Sequence, residues 1–335
     1  MTGLRLAAQG VTAAFLAASV AIPAAGELSR QPLAQANTAL QAGEADKAMA
    51  LLNSLPNNGA GLAEANNLEC RVLFTLEQWD AAVAACERAV VLDRENSNDH
   101  MWLGRALGEK ASRASFLSAY SLARRVRVEF EEAVRLNPRN AEALADLGEF
   151  YRSAPGIVGG GLDKAEKIAA RLDSVDAARA HELRGRIAEE RKDYGASERE
   201  YKAAIAVSAH PAFRWTALAD FYRRRQRWTE MEWAVQSCIA AAERDKHAGV
   251  PLFDGASLLL DANRDLPLAA TMLEAYLAGT AKTEEAPAFV AYTRLARVKQ
   301  RLGDGASAER EQAAALALAR EYKPAQDLNI QETKH

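Results

Sequence analysis

The strongest constraint on this chain is a recurrence of paired amphipathic helices at a fixed interval. The segments "EADKAMALLNSLP", "QWDAAVAACERAVVLD", "DYGASEREYKAAIAVS" and "RWTEMEWAVQSCIAAA" each read as a helix following a charged or glycine-containing turn. Their end markers Leu55 and Ala89 lie 34 residues apart, as do Ala204 and Cys238. Before each lies a further helical segment, such as "AFRWTALADFYRRR" with Trp215, Leu218 and Tyr222 at helical spacing. One such hairpin cannot cover its own apolar face, so the units must stack on a continuous core. β-branched clusters and Asn-Gly or Asp-Gly hairpin signals are scarce, which argues against a sheet. The pattern predicts an all-α fold.

Within this period, Trp102-Leu103-Gly104 and Leu147-Gly148 with Tyr151 mark first helices, while Phe130, Ala133 and Pro138, or Tyr201 and Ala204, mark second ones. This arrangement resembles the tetratricopeptide repeat (TPR) over about residues 30–320. The resemblance implies a right-handed solenoid of about eight hairpins, placed at 27–322, with first helices lining a concave groove. A polar tail is expected at 323–335.

Two consecutive repeats break the period. Ala89 to Ala133 spans 44 residues, and Ala133 to Leu172 spans 39. Phe116, Tyr120, Ala123, Val126, Phe130 and Ala133 form one apolar stripe, which predicts a second helix lengthened at its start. The other excess is "FYRSAPGIVGGGLDKAE", residues 150–166. Gly156 and Gly161 have phosphate-loop spacing, but Leu162 stands where lysine belongs and a helix, not a strand, precedes. We read the stretch as an elaborate turn. Pro155 ends a helix, Gly159, Gly160 and Gly161 permit a tight return, and Asp163 with Glu166 forms a capping box. Ile157 and Val158 are expected to pack on Phe116 and Tyr120, because both insertions fall at the same turn of adjacent hairpins. The loop and the "FEEAVRLNP" helix also look similar in layout to T-component proteins of TRAP transporters and to regulator-of-microtubule-dynamics proteins. The TRAP likeness implies an accessory role in handling solute.

Residues 1–26 read as a secretory signal peptide: Arg5, an apolar run Val11–Ile22, then small residues Ala24 and Gly26 before Glu27. Export to the periplasm follows as an expectation, with no membrane span after cleavage. The formal charge of −3 offers no basic field for nucleic acid.

Chemistry-bearing motifs are sparse. His100, His181, His210, His247 and His335 show no zinc spacing, and no serine sits in a nucleophile elbow. No cofactor, metal site or catalytic set is expected, and the chain reads as a non-enzyme. Cys70 and Cys86 fall on paired helices, where a disulfide and two buried thiols both fit; Cys238 reads as a packing residue. On the TPR mapping, Arg71, Arg105, Arg152, Arg186, Arg223 and Arg224 face the groove, with Glu149 and Asp220 among them. Guanidinium forks there suit an acidic peptide or a chain terminus; the competing reading is a solvated polar face. The chain is therefore expected to be an exported scaffold for a protein or peptide. The alternatives are a solute-binding accessory of a TRAP-type transporter and an envelope-assembly factor with structural duty alone. An enclosed cavity would favour the solute, and an open groove the scaffold.

Overall fold

The computed structural model describes residues 25–56, 61–245 and 248–330. Of the segment read as a signal peptide only Ala25 and Gly26 fall within them; the rest, with His247 and His335, lies outside the described residues. The described chain is all α, an array of eight helical hairpins. They are α1 (Ala25–Ala42) with α2 (Ala45–Asn53), α3 (Leu62–Thr75) with α4 (Trp79–Leu92), and α5 (Ser97–Ser112) with α6 (Phe116–Leu136). Then come α7 (Ala141–Ser153) with α8 (Leu162–Leu172), α9 (Ala177–Glu190) with α10 (Tyr194–Val207), and α11 (Pro211–Arg224) with α12 (Trp228–Ala242). The last pairs are α13 (Gly249–Asp261) with α14 (Leu266–Ala278) and α15 (Ala288–Arg301) with α16 (Gly305–Leu318), followed by the short α17 (Lys323–Gln326). No helix among the described residues is long and apolar enough to cross a membrane.

Small residues sit where helices approach most closely. A Cβ added to Gly104 would stand 2.5 Å from the Phe130 ring, and one on Gly148 would stand 2.4 Å from Leu183. Helix starts use side-chain caps: Asn140, Asp176, Asp193 and Asp304 each accept a backbone N–H from three residues ahead. In six of the eight hairpins a short turn of two to four residues contains a left-handed residue. These are Gly43, Glu77, Lys192, Gln226, the pair Asn263 and Asp265, and Gly303. Glu77 and Gln226 each stand two residues before the second helix, as Gly43 does. Among the described residues, α5–α6 and α7–α8, the hairpins with the insertions, lack this turn and reverse by other means.

The first insertion lengthens α6 to 21 residues, as the stripe predicts. The second is a one-turn 3₁₀ helix, Gly156–Val158, which packs against α6. The backbone N–H groups from Val158 to Gly161 are consumed internally. Val158 donates to Pro155 O at 3.0 Å, Gly159 to Gly156 O at 2.9 Å and Gly161 to Tyr151 O at 2.7 Å. A phosphate cradle needs such groups free, so the stretch is a turn. Gly159 has φ +100°, and a Cβ on Gly160 would collide with Ala154 O at 1.8 Å. Pro155 leaves Ala154 extended.

Two expectations here need correction. The N-cap of α8 is Gly161 without a side-chain cap, so Asp163 lies inside the first turn and no capping box forms. Of the expected apolar contact only half is made. Val158 is buried in the core on which Tyr120 also packs, whereas Phe116 is 85% and Ile157 76% exposed. The turn meets α6 through Arg127, which lies under Gly159. That point is three helical turns beyond Phe116.

The array does not end open. Phe289 of α15, with Ala315, Ala319 and Tyr322, shares one core with Leu33, Leu40, Leu68 and Val72 of the first two hairpins. The Phe289 and Tyr322 rings meet edge to face at 4.8 Å. Arg71 forks onto Glu284 at 2.6 and 2.8 Å, Tyr322 Oη donates to Glu77 at 3.2 Å, and a Cβ on Gly43 would overlap Ala288 N. The first and last hairpins thus close the solenoid into a ring. Residues 323–330, expected as a polar tail, are partly docked: Ala325 is buried, and Gln312 donates to Ala325 O and Leu328 O.

Candidate functional site

Closure turns the concave face into an inner wall, and the six arginines expected at the groove are each already engaged in ion pairs. Arg105 donates to Asp146 at 2.6 Å and Glu142 at 3.0 Å. Arg152 binds Glu149 and Glu190, and Arg186 lies 3.4 Å from Glu182 and 3.6 Å from Glu149. Arg223 pairs with Asp220 at 2.8 Å, Arg224 with Glu189 and Asp220, and Arg71 with Glu284. Burial pushes the Glu149 carboxyl up, but its Arg152 hydrogen bonds and the nearby Arg186 and Arg224 charges together hold it below the usual range. A guanidinium already forked onto one or two carboxylates of its own chain has few donors left for an incoming anion. The recurrence of these arginines along the first helices was legible in the sequence. The compensation was not: besides Glu149 and Asp220, its carboxylates come from Glu142, Asp146, Glu182, Glu189, Glu190 and Glu284.

What remains open on the inner side is a cavity of about 680 Å³ between the N-terminal hairpins and the closing one. One wall is aromatic. Phe74 meets Trp79 edge to face at 5.2 Å and Trp102 at 5.5 Å, with Arg105 stacked over Trp102 at 4.8 Å. Phe253 of α13 and Tyr322 line other parts. Arg294 and Arg297 project from α15, one turn apart, and both line the cavity. The Arg294 guanidinium lies 4.8 Å from the Phe253 ring centre. Among the described residues neither arginine has a carboxylate within 4 Å, in contrast to the six expected ones. The expectation stopped at α11; the same first-helix logic continued to α15 finds this pair.

Beside this region Asp254 of α13 carries no ion pair or hydrogen bond among the described residues, and burial pushes its carboxyl up to about 7. Arg294 opposes that rise, while Glu285, Asp220 and Glu182 add to it. No cluster of metal-ligating side chains occurs among the described residues. His100 and His181 are held by Glu129 and Glu200, each at 2.7 Å. Cys70 and Cys86 face each other across α3 and α4 with Cα atoms 5.1 Å apart, within the span a disulfide requires. Cys238 is buried, which pushes its thiol up to about 12.

No protein-family model matches the chain, and no curated protein sequence does. Solved structures do. A thermophilic TPR protein of Thermus thermophilus is similar at TM-score 0.49 and 16% identity, over 58% of this chain and 98% of that one. A tetratricopeptide repeat protein of Parabacteroides merdae is similar at TM-score 0.45 and 13% identity, over 82% and 99%. YrrB, described as a TPR protein with an unusual peptide-binding site, is similar at TM-score 0.36 and 14% identity, over 59% and 95%.

Proposed function

We propose that this chain is a non-enzymatic scaffold, exported under the direction of residues 1–26, that holds a segment of a protein or peptide partner in its inner cavity. The observation that carries this reading is the contrast on the inner wall. Charges elsewhere on it are neutralised within the chain, while the cavity keeps two uncommitted arginines beside an aromatic wall. Apolar surface with a few convergent polar groups is the usual composition of a binding site. Recovery of partners from envelope extract on wild-type protein, in parallel with a Trp102→Ala, Phe253→Ala variant, tests it. A species retained by the wild type and lost from the folded variant supports the cavity; equal retention on both overturns it. Export is checked separately by mass: a mature chain starting near Glu27 is expected, and one retaining residues 1–22 refutes it.

Closure of the ring favours a second reading. A cavity of about 680 Å³ lies within the range of small-ligand sites. It suits a solute-holding accessory, as in TRAP-type transport, better than an open groove would. Native mass spectrometry of the protein as isolated distinguishes the two, since a retained small molecule belongs only to the second.

A further inference from the structure

We propose that the cavity binds an organic anion, a carboxylate attached to an apolar or aromatic body, and that this ligand bridges the seam between the first and last hairpins. The inference rests on the cavity being the binding site, and adds the ligand's chemistry and its mechanical consequence.

The argument for an anion begins with what each charged group in the cavity already does. Arg105 is spent on Asp146 and Glu142, and Glu284 on Arg71. Glu77 accepts from Tyr322 Oη. Glu285 lines the cavity without an ion pair among the described residues; burial raises its carboxyl, and the charges it senses are Glu142, Arg105, Arg179 and Glu284. Glu285 pairs with neither Arg294 nor Arg297 within 4 Å among the described residues. Tyr322, by contrast, senses both arginines. Asp254, the acid that senses Arg294, stands beyond pairing distance. The end of the cavity bounded by Arg294, Arg297 and Tyr322 therefore holds two guanidinium groups without an ion-pair partner within 4 Å among the described residues, the acid at that end being Glu77, which Tyr322 Oη holds.

Guanidinium forks match carboxylate geometry, and two of them one helical turn apart can share its two oxygens. The body of the ligand would then lie towards Phe253 and the Phe74–Trp79–Trp102 wall, where burial of apolar area supplies the affinity. Arg294 and Arg297 belong to α15, whereas Trp79 and Trp102 belong to α4 and α5. A ligand touching both sets joins elements from opposite ends of the chain. It acts on the same seam as the Arg71–Glu284 pair and the Phe289 core.

Two sources share this chemistry: a free organic acid and the C-terminal residue of a peptide. Calorimetric titration of the full chain with 2-naphthoate, and with acetyl-Ala-Ala-Phe bearing a free C-terminus, separates them. The neutral amide of each serves as its control. At least one acid is expected to bind, with its amide at least tenfold weaker. Arg294→Gln with Arg297→Gln is expected to abolish that preference while leaving the melting temperature of the unliganded protein unchanged. Acid and amide binding equally, or neither acid binding at millimolar concentration, overturns the anion. Equal binding by wild type and the double variant overturns the assignment to these arginines. Hydrogen exchange across residues 284–290 reports the bridge: slowing on binding is expected, and unchanged exchange at saturation overturns it. Binding that survives the arginine change but fails in Trp102→Ala, Phe253→Ala keeps the cavity as the site and rejects only the anion.

Discussion

At the scale of single residues, Asp254 and the cysteine pair lend themselves to direct tests. The Asp254 carboxyl sits at about 7 in the fold, against an ordinary 3.8, because burial penalises its charge. A raised acid favours the folded state fully below about pH 4 and loses that contribution as pH rises through about 7. Asp254→Asn should therefore stabilise by roughly 1–3 kcal/mol at pH 8, the cavity's access to water reducing the full linkage value, and by little at pH 4. Melting curves at the two pH values check this, and a pH-independent difference would contradict it. For Cys70 and Cys86 the facing geometry leads us to expect a bridge in the exported protein. Thiol titration of denatured, unreduced protein should then find one thiol, Cys238, and not three. Loss of the bridge should cost about 3 kcal/mol for a loop of this length.

The elements show how one hairpin is made from several sequences. The left-handed turn residue falls on Gly43 and Gly303, but also on Glu77, Lys192 and Gln226, whose side chains make that geometry costly. Lys192 has no partner that a glycine would sacrifice among the described residues, while Glu77 receives the Tyr322 hydroxyl. Lys192→Gly should thus stabilise by about 0.5–1 kcal/mol, the strain relieved exceeding the entropy glycine loses. Glu77→Gly should not, because the same relief is set against a broken hydrogen bond at the seam. Chemical denaturation of both variants reads the difference, and equal gains would remove the seam's role from the account.

On the scale of the whole molecule, the defining contact is made by the chain's two ends. Phe289 is 1% exposed in a core whose other members include Leu33, Leu40, Leu68 and Val72. Truncating it should cost about 3–5 kcal/mol. Because neighbouring hairpins interact mostly in sequence order, that loss should fall on closure before it reaches the rest of the array. Phe289→Ala is expected to raise the radius of gyration in solution scattering while helical circular dichroism is retained. A lower melting temperature with an unaltered radius would show a ring that stays shut without this side chain.

The features legible in the sequence are those whose interacting partners lie one repeat away or less. The hairpin period, the lengthened α6, the Pro155 break and the glycines against Phe130 and Leu183 all follow from local periodicity and steric need. The recurrence of the arginines on first helices follows from the same register. Their neutralisation does not, because it depends on which carboxylate of a neighbouring hairpin falls within reach. Closure was least legible of all. Each hairpin adds a small rotation to the stack, and no residue pattern reports the accumulated angle. Only when it brings Glu284 to Arg71, 213 positions away, do the ends meet. The sequence by itself therefore determined the helices and their pairing. The tertiary structure decided that a cavity lies between the first and last hairpins, and that Arg294 and Arg297, unlike the six arginines expected at the groove, have no carboxylate within 4 Å among the described residues.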